Sequence, residues 1–357
     1  MIIYKIHHVD GLYFEIIEDE GKNREYDVMF YDNTSMSVVY DVKLKPGSWA
    51  KLDRKYLSDI SVIMRWEGRT IKQINFLDEL EGKRVFITFD SSALGDTVAW
   101  MPYCLEFANT YKCKVIVSTF KNFLFEEAYP ELEFVDRGTV VNNIIGMFNI
   151  GWHWNTSMEP TNPILIPLQQ AASNILNLPF KEITPRMAFV PKERPVISKY
   201  ICISTKSTAQ CKHWYYWPEL IEQLKSKGYR VFEMSKDADD YGAEKLEDTS
   251  LENVMKYMYY ADDYIGLSSG LSWLNWALGK HSVIISNFTN DGHEFTSNCT
   301  RITNTDVCHG CWHNPLFRFN KGDWNWCPVN ENTPRQFECH KGISMSKVIN
   351  AMHFEEE

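Results

Sequence analysis

Apolar positions come in short runs over residues 1–80 and in longer, buried runs beyond them. Leu12–Ile17, Val28–Tyr31, Val38–Val42, Ser61–Trp66 and Ile71–Phe76 read as strands, and Asp10-Gly11, Asp32-Asn33 and Pro46-Gly47 read as turns. Near residue 82 the pattern changes. Arg84–Phe89 predicts a buried strand, Asp90–Asp96 a small-residue loop, Thr97–Tyr111 a helix and Lys114–Ser118 the next strand. A second series starts with the strand Tyr200–Ser204 and the polar loop Thr205–His213. It continues with a helix carrying Pro218 near its first turn and Gly228 past its end. Strands at Tyr229–Met234, Tyr264–Leu267 and Ser282–Ser286 follow, with helices at Leu251–Tyr260 and before Gly279. The pattern predicts an α/β chain: a β-rich accessory domain over 1–80, a Rossmann-like domain over 81–190 and a second over 191–357. The linker falls near Pro185–Pro195, and a cleft is expected between the two α/β halves.

Composition narrows the class. The 357 residues are 44% apolar, enough for sizeable cores, and 37 basic against 47 acidic residues disfavour a nucleic-acid partner. Met1–His8 lacks the apolar core and cleavage site of a signal peptide, and no run of 18 apolar residues predicts a membrane span. A cytoplasmic protein is therefore expected. In a reducing compartment the nine cysteines read as thiols or metal ligands rather than disulfides. Most of the 12 Trp read as core.

Four motifs carry chemistry. Leu94-Gly95-Asp96-Thr97 stands between a strand and a helix; Asp96 is either a helix cap or a base for an acceptor hydroxyl. Thr205–Trp214 offers hydroxyls on Thr205 and Thr208 and ammonium groups on Lys206 and Lys212, which suit a diphosphate. It lacks the glycines of a Walker loop. In Ser268-Ser269-Gly270-Leu271-Ser272-Trp273, the Ser269–Ser272 turn (with Gly270 and Leu271) exposes backbone N–H groups at a helix start and can seat an anion. A serine-nucleophile elbow is the rival reading, and the G-x-S-x-G spacing is absent. Last, Cys308, Cys311, Cys327 and Cys339 space out as a four-thiolate metal finger within 306–340, suited to zinc or a single iron and leaving no open coordination position. Trp312, Trp324 and Trp326 lie in the same segment. Cys104, Cys113, Cys202, Cys211 and Cys299 read as isolated.

The order of these motifs resembles the bacterial autotransporter heptosyltransferases, relatives of the lipopolysaccharide heptosyltransferases. Ser91–Tyr103 is similar to their signature, Thr205–Trp214 to their donor-phosphate loop, and Ser268–Trp273 to their Gly-Leu-Ser turn. An acidic residue common before that turn in the lipopolysaccharide enzymes is replaced here by Ser268. The resemblance implies a GT-B fold and ADP-heptose as donor, with serine hydroxyls of an autotransporter-type protein as acceptor. It also implies a ring-like dodecamer and a structural iron in the finger, zinc being the alternative. Asp96 becomes the base, Lys206 and Lys212 neutralise the leaving diphosphate with Thr205 and Thr208, and no catalytic divalent metal is needed. Two other functions stay open: a glycosyltransferase of this fold with another donor or a glycan acceptor, and a non-enzymatic metal-finger adaptor.

Overall fold

The structure, a computed structural model, describes residues 2–190, 192–317 and 326–353. Trp324, the Glu355–Glu357 tail and Pro191 of the expected linker lie outside the described residues. The chain divides into two compact units. One comprises Met1–Ser92, Trp100–Pro163 and Gln169–Lys181; the other comprises Ala93–Ala99, Ile164–Leu168 and Glu182–Glu357.

In the first unit the strands are β1 (Ile2–His8), β2 (Leu12–Asp19), β3 (Tyr26–Asp32), β4 (Ser37–Leu44), β5 (Ser48–Leu52), β6 (Ile60–Trp66), β7 (Arg69–Asn75) and β8 (Arg84–Phe89). Helix α1 (Leu94–Tyr111) follows β8. Then come β9 (Lys114–Ser118), β10 (Glu133–Phe134), β11 (Gly146–Ile150) and α2 (Leu168–Ile175). β8 to β11 are mutually parallel. β1 joins β11 in parallel, and β2 and β5 extend the same sheet antiparallel, so its order is β10-β9-β8-β11-β1-β2-β5. Only β4-β3-β6-β7 forms a separate sheet. The β-rich N-terminal stretch is thus shared between two sheets. β1 and β5 are additions to the strands read from the sequence. In β1 the short apolar run Ile2–Tyr4 breaks at Lys5, with Ile3 and Lys5 exposed and His7 partly so, and β5 is only five residues long with Trp49 and Lys51 exposed.

The second unit holds β12 (Tyr200–Ser204), α3 (Trp217–Ser226), β13 (Arg230–Glu233), β14 (Glu244–Lys245), α4 (Leu251–Tyr260) and β15 (Asp263–Leu267). These are followed by α5 (Gly270–Ala277), β16 (Ser282–Ile285), β17 (Cys299–Ile302), α6 (Glu338–Lys341) and α7 (Met345–Asn350). The six strands are all parallel in the order β14-β13-β12-β15-β16-β17. Every residue of β12, β15 and β16 is buried, as expected for a sheet covered on both faces. Pro218 opens α3, and Ser250 caps α4 by accepting from the Asn253 N–H. Trp214, Trp217, Leu220 and Leu224 pack on Ile203, Ile265 and Ile285 and on Ile343 and Val348 from the C-terminal segment. The tryptophans here are core, as the composition suggested.

The strand order reverses between β12 and β15. In a doubly wound sheet the crevice for a ligand opens at the carboxyl ends of such a pair. That is where Thr205–Trp214 and Ser268–Ser272 leave the sheet. Among the described residues, no helix is long and apolar enough to cross a membrane.

Candidate active site

The switch point brings three of the four motifs together within the second unit. α1 starts at Leu94, three residues earlier than the pattern indicated. Thr97 completes its first turn by donating its Oγ1 to Ala93 O at 2.8 Å. Asp96 therefore lies in the first helical turn rather than at the cap, and is half-buried. This turn meets the start of α5 with almost no intervening space. A Cβ on Gly270 would stand 2.9 Å from Gly95 N and 2.9 Å from Leu94 Cβ, and one on Gly95 would stand 3.1 Å from Trp273 Cδ1. Neither glycine has a positive φ; close approach is the reason for both.

Lys212 reaches the same place from the β12 loop. Its Nζ donates to Ser268 O at 3.1 Å. Burial lowers its pKa, while Glu294, Cys211 and Asp96 pull it back up and Arg301 lowers it further. Ser269 sits at the cap position of α5 in extended conformation, and its Oγ is buried without a hydrogen-bond partner. An orphaned hydroxyl beside the free N–H groups of a helix start and a lysine ammonium is suited to an anionic ligand.

The other donor-site candidates divide. Ser272 is fully buried and donates its Oγ to Leu267 O at 2.6 Å, so its side chain is committed to the core and only its backbone N–H is available. The same burial removes it as a nucleophile. Thr205 is buried, and its N–H donates to Glu233 Oε1 at 3.3 Å; its hydroxyl lies beside that carboxylate without a well-formed hydrogen bond. Burial raises the Glu233 pKa, opposed by bonds from Thr205 and Ser235. Lys206 and Thr208 are exposed on the outer part of the loop.

Two residues escaped the sequence reading. Glu294, from the segment between β16 and β17, is 4% exposed. It accepts from Ser268 Oγ, from Thr289 Oγ1 at 3.1 Å and from Arg301 Nη1 at 2.5 Å. Burial alone would raise its pKa, but Arg301, His293 and these hydrogen bonds hold it well below the carboxylate range. Cys211 is the second. Its thiol is buried and pushed up to about 12, chiefly by burial, with Cys339 and Cys327 near enough to add to the shift.

The finger cysteines approach one another in the same sense. Cys308, Cys311 and Cys327 each act on Cys339, and burial followed by neighbouring thiols pushes Cys311 up to about 12. Gly310, at φ 68°, makes the Cys-x2-Cys knuckle possible, since a Cβ there would fall 1.9 Å from Asn290 Oδ1. Asn330 Nδ2 donates to Cys308 Sγ at 3.4 Å. Four thiols with an N–H···S bond fit a thiophilic ion in donor chemistry. Among the described residues, however, no group of three or more His, Cys, Asp or Glu side chains is closed into a ligand set. The segment after the fourth cysteine packs on the end of the β12 loop and the start of α3: Trp214 Nε1 donates to Ile343 O at 2.9 Å and Tyr216 Oη to Lys341 O at 3.0 Å.

No family model matches the chain. It is 31% identical over 351 residues to the autotransporter heptosyltransferase Aah of Escherichia coli, covering 92% of this chain and 89% of that protein. It is 29% identical over 361 residues to the autotransporter heptosyltransferase TibC of Escherichia coli O78:H11, covering 95% and 87%. BimC of Burkholderia thailandensis, described as an inactive autotransporter heptosyltransferase, is 26% identical over 343 residues, covering 91% and 80%. A crystal structure of TibC, an iron-containing dodecameric glycosyltransferase, matches with TM-score 0.85 at 27% identity, covering 98% of this chain and 94% of that one. A second TibC structure, in complex with ADP-D-beta-D-heptose, matches with the same TM-score at 26% identity.

Proposed function

Because the chain belongs to the autotransporter heptosyltransferase family, and is thus a glycosyltransferase by descent, we propose that it transfers heptose from ADP-heptose to serine hydroxyls of an autotransporter-type protein. The observation that carries the reading is the switch-point cluster: the Lys212 ammonium on Ser268 O, the orphaned Ser269 hydroxyl and the α5 start pressed against the turn that holds Asp96. BimC, described as inactive, makes family membership alone insufficient for activity.

In this mechanism the acceptor serine oxygen forms a bond to the anomeric carbon as the bond from that carbon to the diphosphate breaks. Asp96 takes the serine proton, oriented by its place in a helical first turn and accepting the proton late in the transition state. The leaving ADP carries its new charge onto Lys212 and the N–H groups of Gly270, Leu271 and Ser272, with Lys206, Thr205, Thr208 and Ser269 completing the donor contacts. These cations and dipoles take the role a divalent metal has in other transferases. Iron, with zinc as the alternative, would be held by Cys308, Cys311, Cys327 and Cys339. There it would supply a structural cross-link ordering a segment poor in aliphatic residues. A GT-B pairing of the two units, a dodecamer like that of TibC and a cytoplasmic site beside the pool of sugar nucleotides belong to the same proposal.

Kinetics with binding as a control test the roles. Asp96→Asn is expected to lower transfer by about 10²–10⁴-fold while ADP affinity stays within about threefold. Full transfer by this variant would remove Asp96 as the base.

A further inference from the structure

Ser268 carries no charge, yet a carboxylate reaches this turn. Glu294 arrives from 26 positions further along the chain, and Ser268 links it to Lys212: the serine hydroxyl donates to Glu294 while the serine carbonyl accepts from Lys212 Nζ at 3.1 Å. Both Glu294 oxygens are occupied. Oε1 takes Ser268 and Thr289, and Oε2 takes Thr289 at 3.1 Å and Arg301 at 2.5 Å. Arg301 is fixed in turn by Thr289 O and Oγ1 at 2.8 Å each. A carboxylate that is 4% exposed and held by three protein donors is not placed to take a sugar hydroxyl. Its service to the site is electrostatic and positional.

We propose that Glu294 is a positioning residue of the donor site, supplying the fixed counter-charge that seats the Lys212 ammonium against the Ser268 carbonyl. The proposal rests on the reading of this turn as the donor-phosphate site. The charged and titratable groups near Lys212 are Glu294, Asp96 and Cys211, with Arg301 as the opposing charge; His293 and His340 also face it, but burial lowers them to about 4 and about 3 and keeps them neutral. Removing the Glu294 charge leaves Arg301 paired, among the described residues, with the solvent-exposed Asp291 alone at 3.0 Å, so its positive charge near Lys212 is less well balanced and Lys212 gives up its proton more readily. A bare structural role for Glu294 would disturb the turn without moving the titration of a lysine.

The test titrates Lys212 directly in the full-length chain. The rate at which acetic anhydride labels Lys212 is followed against pH by peptide mass spectrometry, in parallel with calorimetric binding of ADP. Glu294→Gln, which keeps shape and removes charge, is expected to shift the labelling midpoint down by about one pH unit and to weaken ADP binding about tenfold. Glu294→Asp is expected to restore most of the midpoint. Thr289→Val removes the hydroxyl that donates to the carboxylate and accepts from Arg301 Nη2, but leaves both charges and the Arg301–Glu294 ion pair, so its midpoint stays at the parent value. An unmoved midpoint in a folded Glu294→Gln protein, or an equal shift in Thr289→Val, overturns the proposal. Absence of ADP binding by the parent instead overturns the donor-site reading beneath it.

Discussion

Replacing Gly270 with alanine tests whether the two turns at the switch point act as one unit. The added methyl would meet Gly95 N and Leu94 Cβ, each at 2.9 Å, and the first obstacle is backbone. Comfortable carbon contacts lie near 3.5–4.0 Å, so the starts of α1 and α5 must part by roughly half an ångström. Overpacking of this kind costs about 1–3 kcal/mol. Alanine returns up to about 1 kcal/mol of helix propensity over glycine, leaving a net loss of about 0–3 kcal/mol and a modest fall in Tm. The functional cost is larger. A misplacement near 1 Å costs about 10²-fold in rate, so half that shift between Asp96 and the phosphate turn predicts about a tenfold loss in kcat, with ADP affinity changed less. The control is Gly279→Ala. Its φ of 76° strains any side chain, and no atom lies within 4 Å of the added methyl, so stability falls while kcat holds. Initial rates of heptosyl transfer, Tm and calorimetric ADP binding on all three proteins decide it. Parental kcat in Gly270→Ala would refute the idea that the close approach sets the catalytic geometry.

Lys212→Gln is expected to weaken ADP binding about tenfold or more, since a charge-assisted contact to phosphate is lost; unchanged affinity in calorimetry argues against its donor role. Glu159 is 1% exposed, its oxygens have no well-formed hydrogen bond, and burial raises its pKa from 4.5 to about 8, opposed by the nearby His153 N–H. The folded state keeps this proton where the unfolded state has lost it, so its contribution to stability declines from about pH 4.5 to about pH 8 and stays low above that. Discounted for residual solvent screening, Glu159→Gln is expected to gain about 2 kcal/mol at pH 8 and little at pH 5; denaturant titrations giving a pH-independent difference would contradict this. The purified chain is expected to contain iron with the visible absorption of a ferric tetrathiolate. Cys308→Ser and Cys339→Ser are expected to lose both colour and thermal stability; a colourless, zinc-loaded protein would correct the metal, and a metal-free stable one would remove the finger.

Local features of the fold were legible and long-range ones were not. β12, β15 and β16 announce themselves as unbroken apolar runs, and α3 and α4 by Pro218, Gly228 and Ser250 at their ends. Strand order is a different matter, because the pairing of β12 with β15 on the side away from β13 leaves no local mark; without it the switch point has no address. Lys212 could be singled out from its loop, but the burial of the Ser272 hydroxyl on Leu267 O could not. Glu294 sits in an ordinary Asn-Asp-Gly-His-Glu stretch and becomes informative only when Ser268 is found donating to it. Cys211 looked isolated because the thiols it approaches lie about a hundred residues away in sequence.

The central claim, heptosyl transfer from ADP-heptose to protein serines, is tested most directly by the intact mass of a serine-rich autotransporter passenger incubated with this chain and ADP-heptose. The account predicts a ladder of heptosyl increments that map to serine residues on fragmentation and vanish with Asp96→Asn. A passenger mass that stays unchanged, or increments that persist in Asp96→Asn, would contradict it.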